Sequence, residues 1–167
     1  MLSEKYPEFL AQLGELAKDH FNECFIDEQE SGPVLIMSSP SPFDEDEEIA
    51  YSVQVEDGHN GFVLLQYNII LFTDISEEKL DDLGRAVCYI DPTLPCGNFI
   101  LIKEGRLMLF RQCAIVPDDI DIQTAIQYSL TTLFIMERIV FNRGNELYGL
   151  MNGKVTLEQI KAAQAAQ

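Results

Sequence analysis

The chain has 167 residues, of which 28 are acidic and 11 basic, for a formal net charge of −17. Hydrophobic residues make up 47%, which at this length fits one folded domain of roughly 100–200 residues and argues against a disordered chain. The acidity excludes a nucleic-acid binder, since phosphates demand clustered Lys and Arg, and equally excludes docking on anionic lipid.

The opening Met1–Glu8 is acidic and has no apolar core, so it does not read as a secretory signal. From Pro7 to about Phe21, Phe9, Leu10, Leu13, Leu16, Ala17 and Phe21 recur at three-to-four spacing, which predicts an amphipathic helix with Pro7 in its first turn. Cys24–Gln29 and Val34–Ser38 read as strands around a Ser31-Gly32-Pro33 turn. Ser38-Ser39-Pro40-Ser41-Pro42 leads into the acidic run Asp44–Glu48, which is expected in a solvated loop. That run lacks the alternating acids and central glycine of a calcium loop.

Ile49–Glu56 alternates apolar and polar residues, a half-buried strand, and Asp57–Gly61 is a hairpin loop in which His59 is a turn residue. Phe62–Thr73 is apolar on both sides: Val63, Leu65, Tyr67, Ile69 and Leu71 on one, and Phe62, Leu64, Ile70 and Phe72 around Gln66 and Asn68 on the other. It is predicted to be a central strand covered on both faces. Ser76-Glu77-Glu78 opens a second helix with the stripe Leu80, Leu83, Val87 and Ile90, ended by Pro92 and Pro95. Asn98–Lys103 and Arg106–Val116 form a second hairpin, again with apolar residues on both faces: Leu107, Leu109, Cys113 and Ile115 against Met108, Phe110 and Ala114.

Asp118 or Asp119 is expected to cap the third helix, which runs from about Ile120 past Phe141 until Gly144 or Gly149 breaks it. From Leu133 to Phe141 only Glu137 and Arg138 are polar, so this stretch is apolar nearly all round. Thr156-Leu157-Glu158-Gln159 is a capping box that starts a short Ala-rich helix.

Residues 1–60 carry 15 acids against 2 bases, whereas residues 121–167 carry 4 against 4. The neutral last third therefore holds the most apolar helix. The cysteines Cys24, Cys88, Cys96 and Cys113 form no C-x-x-C pair and sit among apolar residues. They read as reduced packing residues, which implies a cytoplasmic location. No nucleophile elbow, phosphate loop or dinucleotide fingerprint is present, and neither His20 nor His59 is tied by spacing to a catalytic partner. No catalytic residue, cofactor or metal site is assigned. Apolar surface in excess of one core points to self-association, to binding of a client protein, or to both, and an extended client could add to a sheet edge. Leu130, Leu133, Phe134, Met136, Val140 and Phe141 are the expected dimer or client surface.

The segment Leu94-Pro95-Cys96-Gly97-Asn98-Phe99-Ile100-Leu101 resembles the Leu-Pro-x-Gly-x-Phe/Leu entry into a strand found in class I type III secretion chaperones and the related YbjN-like proteins. The Glu104-Gly105 turn, the Leu-x-Leu-Phe-Arg strand, the Asp-rich loop and the long helix follow in the same order, and Asn152–Ile160 is similar to the YbjN-like tail. The acidic Pro-rich loop at 39–48 departs from that pattern, and Cys96 and Asn98 sit inside the motif. Leu94, Pro95, Gly97 and Phe99 are its structural residues. The resemblance implies a single α+β domain of order α-β-β-β-β-α-β-β-α-α, a curved antiparallel sheet with helices mainly on one face. It also implies an acidic homodimer that wraps an unfolded segment of a partner and needs no ATP. The alternative is a YbjN-like regulator or small enzyme that binds a small molecule in a sheet–helix pocket.

Overall fold

The computed structural model describes residues 1–58 and 60–165, so His59 lies outside the described residues. The elements are α1 (Leu2–Ala17), β1 (Glu23–Gln29), β2 (Gly32–Pro40), β3 (Glu48–Asp57), β4 (Phe62–Phe72), α2 (Glu77–Ile90), a 3-10 turn at Asp91–Thr93, β5 (Asn98–Ile102), β6 (Leu107–Pro117), α3 (Ile122–Met151) and α4 (Leu157–Ala165). The predicted element order and the α+β class both hold. The six strands form one antiparallel sheet in the order β1-β2-β3-β4-β6-β5.

Every helix-to-sheet contact falls on the same face. On α1, Gly14 meets Leu35 of β2; on α2, Gly84 meets Leu101 of β5; on α3, Gly144 lies against Leu71 of β4. Between these layers sit Phe9, Leu13, Met37, Val53, Leu65, Ile69 and Phe110, each with no exposed surface. A register shift between Ile70 and Phe72 turns both Leu71 and Phe72 into the core and bends β4. The expectation that β4 is covered on both faces is corrected: no helix among the described residues packs on the second face.

Three helix boundaries differ from the sequence reading. α1 begins at Leu2, which leaves Pro7 inside the helix. Its start is held from far along the chain, because Ser3 N–H and Ser3 Oγ donate to the Asp118 carboxylate at 2.7 and 2.9 Å. Asp118 thus caps α1, and the cap of α3 is Asp121, which accepts from Thr124 N–H at 2.9 Å. α3 runs unbroken through Gly144 and Gly149. Both glycines serve close approach instead of termination: a Cβ at Gly144 would stand 2.5 Å from the Phe43 ring, and one at Gly149 would stand 2.8 Å from Val155. The predicted Thr156 capping box is present, with Thr156 N–H donating to Gln159 Oε1 and Gln159 N–H to Thr156 Oγ.

Candidate partner-binding surfaces

The predicted surface on α3 is mostly inside the molecule. Leu133, Met136 and Val140 are at most 1% exposed, and Leu130 and Phe141 are half-buried against the same core. Only Phe134 faces out, in edge contact with His20. The reason is that α3 is enclosed on several sides: by the sheet, by α1 and α2, and by Phe43 seated on Gly144. Enclosure on several sides accounts for apolar residues round most of the helix, while Tyr128, Phe134 and Ile135 keep an open side.

Two hydrogen-bonded pairs fasten α3 to the sheet. Ser129 Oγ donates to the Ala125 carbonyl at 2.8 Å and so has no proton left for Tyr67. The Tyr67 hydroxyl, 2.9 Å away, is therefore the donor in that pair. Likewise Tyr51 donates to Glu137 at 2.9 Å and receives from Ser39. Burial pushes both phenols above their ordinary pKa, so they stay neutral donors.

The resemblance motif does structural work. Gly97 has a φ of 65°, and a Cβ there would meet the Phe110 ring at 2.5 Å. Phe99 packs edge-on against Phe110, and its N–H donates to the Asp91 carboxylate at 2.9 Å. Leu94 is half-buried against the core, and Pro95 lies in the turn before β5. The acidic run is pinned through its first members: Phe43 stacks on Tyr148, whose hydroxyl donates to Asp44.

Besides the exposed Tyr128, Phe134 and Ile135 of α3, two larger surfaces are open among the described residues. The first is a groove of about 540 Å³ between α1 and the outermost strand β1. Leu10, Gly14 and Leu35 line its buried side, with Leu16, Cys24 and Ile26 also along it. Gln123 donates to Gln12 across one end. β1 pairs with β2 alone, so its other backbone edge carries no strand. The opposite edge, β5, is only five residues long and has Phe99 N–H already taken by Asp91. Around the groove and on β1 stand Glu15, Glu23, Asp27 and Glu28 against Lys18, which is paired with Glu15.

The second surface is the uncovered sheet face. The strand register places Ala50, Ile70, Leu109 and Ile100 side by side across four strands. The next row is polar, Ser52, Asn68, Arg111 and Asn98, tied by Asn68 donating to Ser52 and Arg111 Nε donating to Asn68. Beyond it come Gln54, Gln66 and Cys113, then Glu56, Leu64 and Ile115. Ile115 is 74% exposed, and Phe25 and Phe62 lie on the same face with about half their surface open. This is the surplus apolar surface that the sequence reading placed on the helix. Its signal was present in the second apolar side of β4 and β6.

No group of three or more His, Cys, Asp or Glu that could hold a metal exists among the described residues. No helix of the described residues is long and apolar enough to cross a membrane. No family model matches the chain, and no curated protein does.

Proposed function

We propose that this chain is a non-enzymatic, acidic, chaperone-like adaptor of the cytoplasm, which works as a homodimer and holds an extended segment of a partner protein in the α1–β1 groove. The observation that carries this reading is the pairing of an apolar groove with a free strand edge. An added strand would take its affinity from backbone hydrogen bonds to β1 and its specificity from alternate side chains entering the groove. The acids on β1 and the groove rim favour Lys or Arg at the intervening positions, and the chain's net charge of −17 speeds the encounter with such a segment. The resemblance to secretion chaperones points the same way.

The test is fluorescence anisotropy with a labelled peptide of about ten residues alternating Val and Lys, a length that spans one strand. A peptide with Gly in place of Val controls for bare charge. The reading expects saturable binding of the Val-Lys peptide, weakened at least about tenfold by Ile26→Asp. Equal binding of both peptides, or indifference to Ile26→Asp, discards it.

A further inference from the structure

We infer that the uncovered sheet face is where two copies of this chain meet, sheet against sheet. The inference rests on the homodimeric part of the proposed function and is independent of the groove.

Charge supplies the first argument. Two chains of net charge −17 repel unless they approach through surface that lacks acids. Across the six strands the outward positions hold four acids, Glu23 and Asp27 on the edge strand β1 and Glu48 and Glu56 near the two ends of β3, and one base, Arg111, so β4, β6 and β5 present no acid there. A strongly basic partner would find little at the centre of this face to select it, whereas a second copy meets a centre as free of acids as its own.

Self-complementarity is the second. A two-fold interface uses the same patch twice, so the patch must carry both halves of every polar contact. Arg111 is half-buried and donates one bond to Asn68, and it forms no ion pair among the described residues. Its remaining N–H groups need acceptors, and the amides of Gln54, Gln66 and Asn98 supply them on the same face.

Size is the third. Six strands about 4.8 Å apart, most of them long enough for about 25–35 Å, give roughly 600–800 Å². A stable complex buries about 800 Å² on each partner. The half-buried Ile70, Ile100 and Leu64, together with the protruding Ile115, would form its dry centre around Leu109, which its own sheet already buries.

Light scattering coupled to size exclusion tests this on the full chain at roughly 50 µM, a concentration at which even a modest dimer forms. The expected mass is twice the 18.9 kDa of one chain. Ile115→Lys should return it to one chain and raise the dissociation constant at least about a hundredfold, since a symmetric dimer carries the change twice. Ile115 is 74% exposed, so the substitution leaves the fold intact, which circular dichroism checks. Phe134→Lys, on exposed helix surface, should leave the double mass unchanged. A single-chain mass for the parent protein overturns the inference. So does a dimer that survives Ile115→Lys, or one that Phe134→Lys alone dissociates. Val-Lys peptide binding is measured on the same samples. A dimer that obeys the expectation without binding peptide keeps the interface and discards the groove. Peptide binding by a chain that is monomeric throughout does the reverse.

Discussion

Tyr67 on the central strand donates its hydroxyl proton to Ser129 on the long helix across 2.9 Å, in a place where neither side chain touches water. Because Ser129 spends its own proton on the Ala125 carbonyl, the two residues are not equivalent. Ser129→Ala leaves a buried phenol with no acceptor and should cost about 1–3 kcal/mol, whereas Tyr67→Phe removes one net hydrogen bond and should cost about 1 kcal/mol. The double variant should lose less than the two singles together, because it leaves no orphaned donor. Urea unfolding of the four proteins gives the comparison; equal costs for the two single changes would contradict the assigned donor.

Met136 has no exposed surface, and its neighbours Leu133 and Val140 are equally enclosed. Met136→Ala should therefore cost about 2–5 kcal/mol through lost burial and an unfilled cavity. Met136→Asp places an unpaired charge in that space and should abolish folding without passing through a folded monomer. Phe134→Asp, on the open side of the same helix, should change stability by only about 0.5 kcal/mol. Thermal melts by circular dichroism separate the three. A folded Met136→Asp protein would show that α3 is not enclosed as described.

The element order was legible because it depends on local periodicity: two-residue alternation in Ile49–Glu56, three-to-four spacing in Phe9–Ala17 and the Thr156 capping box. The one-sided layering was implied only by the resemblance, whereas the two apolar sides of β4 pointed to cover on both faces. What was not legible depends on how many neighbours an element acquires. Leu133–Phe141 reads as excess surface only if a single sheet faces it, and nothing local announces that α1, α2 and Phe43 close around it. The same missing knowledge hid the open face, since Leu64 and Ile70 look alike whether a helix covers them or water does. Asp118 was expected at the nearest helix and caps the farthest one, a contact across 115 residues that no spacing rule reaches.

Gly144 is the reason α3 can run beneath the acidic loop. A methyl group there would overlap the Phe43 ring, which is also packed against Phe72 and Tyr148. Elsewhere in a helix Gly→Ala gains up to about 1 kcal/mol from propensity. Here Gly144→Ala should instead cost about 1–3 kcal/mol as the ring is displaced. In a Phe43→Ala background the sign should reverse, because the obstacle is gone and only the propensity gain remains. A double-mutant cycle by chemical denaturation reads both values, and additivity between the two positions would remove Phe43 from the explanation.

The Ser3–Asp118 contact makes a pH-dependent contribution. Hydrogen bonds from Ser3 N–H and, less strongly, Ser3 Oγ hold the Asp118 carboxyl below its ordinary pKa in the folded chain. A carboxylate with a depressed folded pKa stabilises fully above its unfolded value of about 3.9 and loses that contribution as pH falls through the folded value. Asp118→Ala should therefore lower the melting temperature at pH 7, and the gap to the parent protein should narrow as the pH drops below about 4. Ser3→Ala removes only the hydroxyl donor and should reproduce part of the gap with the same pH trend. Melting curves at pH 7, 5, 4 and 3 give the profile. A gap that stays constant to the acid limit would mean that Asp118 contributes through packing, and that the N-terminus of α1 is not held by its charge.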